Sequence, residues 1–168
     1  MKKSTVTLLM MTLLAFGMTS LQAQKSSKKD EEYRKVIALI EDGSYEFVVQ
    51  SVNPTGGRTI HPGSNYTMTA VEGRFNTLLP YFGRAYQASY GGNGGIEFDG
   101  EPENLEITRN EKRRTITVKF EIRGDNERYS VILSAGYKGY ASLNIISTRR
   151  QAISYNGTIG PLEEQSDR

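Results

Sequence analysis

Residues 115–123 read Thr-Ile-Thr-Val-Lys-Phe-Glu-Ile-Arg, an unbroken alternation of polar and apolar side chains. Successive side chains of a β-strand point to opposite faces of a sheet, so the four apolar residues of this stretch share one face. Such a strand is typical of an antiparallel sheet that packs one face on a core and leaves the other in water.

Four further predicted strands flank this one, and short polar turns separate them. Residues 105–109 precede it, and residues 127–134, 140–147 and 151–158 follow it. Connections this short leave no room for the crossover that a pair of parallel strands requires. The second half of the chain is therefore predicted to be an antiparallel meander.

The first half begins with a predicted helix, which Gly43 can end in a left-handed conformation. Four apolar residues recur at helical spacing and form one face: Tyr33, Val36, Ile37 and Ile40. After Gly43 the period changes to two. Residues 45–52 and 66–71 are predicted to be neighbouring strands.

Residues 74–95, which we name the aromatic-glycine segment, fit neither period. The segment is rich in large apolar side chains, namely Phe75, Leu78, Leu79, Tyr81, Phe82, Tyr86 and Tyr90. It ends in a run of glycines over residues 91–95 that Asn93 interrupts. We interpret it as a loop or short helical turn that lies over one end of the sheet, followed by a short strand at residues 96–98.

Together these patterns predict an α+β, mostly β fold for residues 30–168. The sheet is predicted to be curved and antiparallel, or a partly open barrel, with about seven or eight strands and the helix packed on it. The predicted core comprises Phe47, Val49, Ile116, Val118, Phe120, Ile122, Val131, Leu133, Leu143 and Ile145.

The chain starts with the charge pattern of an export signal. Lys2 and Lys3 come first, and residues 6–18 form an uncharged apolar run. This run is shorter than the roughly 20 apolar residues that a membrane-spanning helix needs. We therefore predict a cleavable signal peptide over residues 1–23.

The predicted cut lies between Ala23 and Gln24, and a flexible lead-in over residues 24–29 follows it. Cleavage elsewhere between residues 17 and 23 and an uncleaved amino-terminal anchor are the alternatives. After cleavage we expect an exported protein, periplasmic or secreted, without a membrane anchor.

Cleavage also changes the charge of the protein. The signal holds two of the 21 lysines and arginines and none of the 19 acidic residues, which leaves 19 of each sign. A neutral domain argues against a nucleic-acid partner. The chain contains no cysteine, so neither disulfides nor a lipid-modified cysteine is expected, and packing alone must hold the fold.

Residues 79–86 read Leu-Pro-Tyr-Phe-Gly-Arg-Ala-Tyr, and the motifs Tyr-Gly-Gly at 90–92 and Gly-Ile-Glu-Phe at 95–98 follow. With these motifs the chain resembles a family of small exported bacterial proteins known as domain of unknown function 4251. The resemblance covers nearly all of the chain after the signal. It implies export and the helix-plus-sheet fold, and it assigns no activity, cofactor or catalytic residue.

Residue types that catalysis or metal binding requires are sparse. His61 is the one histidine and cysteine is absent, so a Cys-His pair and the usual zinc sites are excluded. His61 is predicted to be a solvated loop residue. Glu97 and Asp99 would share a strand face and could pair as the carboxylates of a glycan-acting enzyme, but residues 99–104 favour a polar turn. We expect no catalytic residue, no metal and no cofactor.

Basic residues cluster at two predicted hairpin turns, residues 112–114 and residues 149–150. Charged side chains at turns are normally solvated, and they discourage strands from pairing edge to edge. We therefore predict that both clusters lie in water.

Aromatic side chains are the most informative feature for function. Six form the predicted ligand site: Tyr81, Phe82, Tyr86, Tyr90, Tyr137 and Tyr140. Such rings can pack on a small ligand, a glycan or a peptide, or they can cover the core instead. The leading hypothesis is a non-enzymatic envelope protein that binds such a ligand. The alternatives are the carboxylate enzyme and an accessory protein that docks on another envelope protein.

Overall fold

The computed structural model describes residues 28–84, 94–124 and 127–162. Within these residues one helix, α1, spans residues 28–42, and nine strands follow it. They are β1 Tyr45–Pro54, β2 Thr67–Val71, β3 Arg74–Leu79, β4 Ile96–Gly100, β5 Glu103–Asn110, β6 Thr115–Arg123, β7 Arg128–Gly136, β8 Tyr140–Ser147 and β9 Ile153–Gly160.

The strands form a single sheet in the order β4-β3-β2-β1-β9-β8-β7-β6-β5. Every pair of neighbours is antiparallel. The fold is one amino-terminal helix on a curled antiparallel half-barrel, as the sequence predicts, with nine strands where seven or eight are expected. Among the described residues, no helix is both long enough and apolar enough to cross a membrane.

The curl of the sheet follows from its connections. β4 and β5 lie at opposite ends of the strand order, yet only Glu101 and Pro102 separate them in the chain. The two strands run in the same direction and act as one bent length of chain that changes partner from β3 to β6. The Phe98 ring on β4 therefore packs edge-on against Phe120 of β6, with 6.4 Å between centroids.

The core fills the concave face of the half-barrel. All ten residues of the predicted core are buried. The Phe75 and Phe120 rings meet across the barrel at 4.2 Å between centroids, which joins the two ends of the sheet through side chains. Alternation on β6 through β9 thus identifies the buried face correctly.

Helix α1 covers one end of the half-barrel, which we name the helix end. Tyr33, Val36 and Ile40 are buried and Ile37 is partly buried, so the predicted apolar stripe faces the core. The Tyr33 hydroxyl donates a hydrogen bond to the carbonyl oxygen of Thr115 at 3.0 Å, which fixes the helix to the start of β6. Gly43 ends the helix with φ of 76°.

The opposite end, which we name the loop end, holds the β1–β2 connection and the chain that follows β3. Here one prediction is wrong. Residues 74–79 form strand β3 and not a loop or helical turn, because Phe75, Thr77 and Leu79 alternate inward. The other predicted strands are present, with ends within two residues of those expected. Residues 85–93 of the aromatic-glycine segment lie outside the described residues.

Candidate functional site

An open groove of about 540 Å³ lies at the helix end, between α1 and the turn that joins β7 to β8. The end of β9 closes its third side. The lining comprises Glu32, Lys35, Val36, Leu39, Tyr137, Lys138, Gly139, Tyr140, Ile159, Gly160 and Pro161. We name this the helix-end groove.

The floor of the groove is apolar, and a backbone hydrogen bond fixes the turn beside it. Val36 and Leu39 project from α1 at helical spacing, and Ile159 comes from β9. The Ile159 amide donates to the carbonyl oxygen of Gly139 at 2.8 Å, which ties the β7–β8 turn to the sheet. Gly139 has φ of 76°, and a Cβ there would come within 2.9 Å of the Ile159 oxygen. Only glycine fits this turn without strain.

Two tyrosines of the predicted ligand site form one wall. Tyr137 is partly buried against the core, and the Lys29 ammonium lies 5.4 Å from the centroid of its ring. Tyr140 is 64% exposed and borders the groove from the first position of β8. The wall therefore presents aromatic surface that is open to a ligand.

The rim of the groove carries three charged groups, Glu32, Lys35 and Lys138. Lys35 also reaches Glu31 at 3.2 Å, in a pair whose two side chains are more than two-thirds exposed. A surface pair of this kind holds its partners weakly. The Lys35 ammonium can therefore turn toward an anionic group at the rim.

The loop end holds the other predicted aromatic residues. The Tyr81 hydroxyl lies 2.8 Å from the carbonyl oxygen of Arg84 and 3.0 Å from that of Gln151, and its one proton is shared between these acceptors. Phe82 is 46% exposed beside a hollow of about 340 Å³. Tyr86 and Tyr90 lie outside the described residues. The described candidates thus separate into two groups, at opposite ends of the half-barrel.

Sequence reasoning misses the most buried charge pair of the loop end. Arg150 is buried, so the prediction that its cluster lies in water is wrong for this residue. Its Nε lies 2.7 Å from Oε1 of Glu127, and its Nη1 donates to the carbonyl oxygens of Gly94 and Gly95 at 2.9 and 2.6 Å. The cation also lies 5.3 Å from the centroid of the Tyr81 ring.

Two buried tyrosines stand beside this pair. Burial raises the pKa of Tyr129, and the neighbouring Glu127 carboxylate raises it further. Burial also raises the pKa of Tyr155, whose hydroxyl donates to the carbonyl oxygen of Pro80 at 2.9 Å. Both phenols therefore stay protonated to higher pH than an ordinary tyrosine, and the hydroxyl of Tyr155 links β9 to the chain that follows β3.

The remaining sequence candidates face solvent. Glu97 and Asp99 are exposed on the outer face of β4, within a strand and not a turn, and Asp99 accepts a hydrogen bond from Arg74 Nε at 2.8 Å. His61 is exposed, and its Nδ1 lies 3.1 Å from the carbonyl oxygen of Gln50. Over the described residues, no three His, Asp or Glu side chains gather as metal ligands would.

Comparison with known proteins adds a family but no activity. The model of the family described as "Domain of unknown function (DUF4251)" matches residues 27–159. The chain is similar in fold to the crystal structure of a DUF4251 family protein from Bacteroides eggerthii, with a TM-score of 0.60 and 18% identity. That match covers 77% of this chain and 87% of the other. No curated protein sequence matches the chain.

Proposed function

The chain belongs to the DUF4251 family, and we propose that it is an exported, non-enzymatic binding protein whose helix-end groove takes a small ligand with an apolar body and an anionic group. The observation that carries this proposal is the groove itself, which joins an apolar floor and an aromatic wall to a rim with two lysines. This ligand class narrows the broader expectation of a small ligand, glycan or peptide.

The size and lining of the groove support a small-molecule ligand. Ligand sites usually measure about 300–1,000 Å³, and they combine mainly apolar lining with a few polar groups. The groove falls in this range at about 540 Å³. Its floor and the Tyr137 and Tyr140 rings offer flat apolar surface against which a ligand body can pack.

The charges at the rim support the anionic group. Lys35 and Lys138 share the rim with Glu32, Lys35 also forms an exposed pair with Glu31, and Lys29 lies next to Tyr137. An anion at the rim would gain charge-assisted hydrogen bonds from these ammonium groups, and the exposed pair of Lys35 holds that side chain only weakly. A cationic ligand would meet three lysines at the same place.

The sequence supports a role outside the cytoplasm, since residues 1–23 have the order of charge and apolar run that directs export. We propose a periplasmic or secreted location, with the ligand drawn from that compartment. The exposed positions of Glu97 and Asp99 offer no enclosed carboxylate pair, so the enzyme alternative receives no support from them.

Fluorescence titration with 8-anilino-1-naphthalenesulfonate, a flat apolar anion, tests this proposal on the protein purified after export. Leu39→Glu places a charge on the groove floor and should weaken binding at least tenfold. Lys138→Glu should weaken it several-fold. Ile146→Glu is the matched control, because Ile146 is half exposed on β8 and does not line the groove.

Leu78→Glu is a second control, because it places a charge in the lining of the hollow at the loop end. We expect the Ile146 and Leu78 variants to bind as the unchanged protein does. Equal affinity of the Leu39 variant and the unchanged protein would overturn the proposal, and so would the absence of binding. Far-ultraviolet circular dichroism of each variant verifies that the sheet is intact.

A further inference from the structure

We propose that β5 is a docking edge at which a second copy of this chain adds its own β5 in antiparallel orientation, joining two half-barrels into one continuous sheet. This inference does not rest on the helix-end groove, because it uses a different surface. It rests on the pairing, the exposure and the charges of β5.

One side of β5 is open. The strand pairs with β6 and ends the strand order, so within the described residues no strand occupies its other edge. All eight residues of β5 are exposed, whereas every strand from β6 to β9 buries alternate residues. Alternate backbone N–H and C=O groups of an edge strand point outward, where they can pair with another strand.

Apolar side chains continue along this edge. Ile107 lies directly opposite the buried Val118, so it shares the face that forms the core. Leu105 lies two residues away, at the register shift that separates Glu103 from Glu106. These side chains are 41% and 46% exposed, respectively. The apolar face of the sheet therefore extends beyond the core into solvent, where a further strand would cover it.

At the other end of the sheet, another part of the chain lies against the end strand β4. A Cβ on Gly124 would come within 2.6 Å of the carbonyl oxygen of Glu97, so the chain after β6 lies against β4. The Phe98 ring of β4 also lies 5.8 Å from that of Tyr129. Among the residues that the structure describes, β5 is therefore the end strand whose outer edge is open to a partner.

Charged residues often protect an edge strand from unwanted pairing. On β5 two of these charges are already balanced within the chain. Glu103 pairs with Arg123 at 3.3 Å and with Arg128 at 3.2 Å, and Arg109 pairs with Glu41. Because Glu103 and Arg109 already have partners of opposite charge, they repel or attract the charges of an approaching strand less strongly.

β5 can pair in antiparallel orientation with its own copy so that Ile107 meets its counterpart and no like charges oppose each other within the strand. A two-fold axis perpendicular to the sheet keeps both core faces on one side, so it must pass midway between one residue and the same residue of the second copy. Centred on Ile107, the axis places this residue opposite its counterpart, Glu106 opposite Thr108, and Leu105 opposite the aliphatic stem of Arg109. Centred on Glu106, it would place two carboxylates opposite each other, which is unfavourable. This self-complementarity favours a second copy over an unrelated strand.

Single-cysteine crosslinking tests the register directly, because the chain has no cysteine of its own. In the Ile107→Cys variant the two thiols face each other across the axis, at a separation that a disulfide can bridge. Mild oxidation should convert most of this variant to a covalent dimer. In the Leu105→Cys control the two thiols are four residues apart along the strands, about 13 Å, and should stay reduced.

Sedimentation equilibrium of the unchanged protein provides the second measurement. We expect a monomer–dimer equilibrium that shifts with concentration, and a monomer at all concentrations for Ile107→Lys. A monomeric unchanged protein at several hundred micromolar would overturn the inference, as would equal crosslinking of the two cysteine variants. A monomer that captures an added β5 peptide would also overturn it, in favour of a partner other than a second copy.

Discussion

Arg150 Nε lies 2.7 Å from Glu127 Oε1, and the two side chains are only 9% and 4% exposed. The pair joins three parts of the loop end. Arg150 precedes β9 and donates to the carbonyl oxygens of Gly94 and Gly95, and Glu127 precedes β7 and accepts from the Ser147 hydroxyl. It therefore fixes the end of the aromatic-glycine segment to the sheet.

Removing one charge of this pair should strongly destabilise the fold. Glu127→Gln leaves the Arg150 guanidinium buried without its counter-charge, which typically costs about 3 kcal/mol or more. Urea unfolding at neutral pH measures this change in the free energy of unfolding. The same substitution at Glu103, whose side chain is 47% exposed, should cost less than about 1 kcal/mol. Equal costs at the two positions would contradict the structural role assigned to the buried pair.

Buried tyrosines should make the protein sensitive to alkali. Burial raises the pKa of Tyr45 above its ordinary value, so the folded state keeps the phenol protonated while the unfolded state ionises above about pH 10. The unfolded state then binds fewer protons than the folded state, and stability falls with pH by about 1.4 kcal/mol per unit for each such tyrosine.

Tyr45→Phe should make the free energy of unfolding fall less steeply with pH, by the contribution of one buried tyrosine, about 1.4 kcal/mol per pH unit. Urea unfolding between pH 8 and pH 11 measures it. The control is Tyr140→Phe, which removes a hydroxyl that lies in solvent and should keep the slope of the unchanged protein. Indistinguishable slopes for the two variants would show that burial of Tyr45 is not what governs the alkaline response.

Gly139 should be the least replaceable glycine of the helix-end groove. Gly139→Ala adds a Cβ within 2.9 Å of the Ile159 oxygen in a residue with φ of 76°. Gly56 has the same φ with no atom within 4 Å of an added Cβ, so Gly56→Ala reports the backbone strain alone. We expect a cost of about 1 kcal/mol at Gly56 and a clearly larger one at Gly139, together with weaker ligand binding by the latter. Thermal unfolding compares the two, and a smaller cost at Gly139 would argue against the close approach.

The sheet could be predicted from the sequence where the alternation of side chains is clean. In β6 each inward residue is apolar and each outward residue is polar. In β3 the inward series contains Thr77, whose hydroxyl donates to the carbonyl oxygen of Thr67 at 2.7 Å, and the outward series contains the exposed Leu78. The buried Thr77 hydroxyl is satisfied by a hydrogen bond to a different strand, β2. The local sequence of β3 therefore cannot predict it.

The sites were harder to predict because each assembles residues that are distant in the chain. The aromatic pattern of the sequence points to Tyr137 and Tyr140, but their neighbours Val36 and Ile159 come from the helix and the last strand. Arg150 occupies a turn, where charges usually face water, and its burial depends on Glu127, 23 positions earlier. Neither relationship follows from local spacing.

We propose that the ligand binds at the helix end and not at the loop end. A ¹H–¹⁵N NMR titration of the exported protein with 8-anilino-1-naphthalenesulfonate tests it most directly, because each backbone amide reports its own surroundings. We expect saturable shift changes at Val36, Leu39, Lys138, Gly139 and Ile159. Changes confined to Tyr81, Phe82 and Gly95 would contradict it.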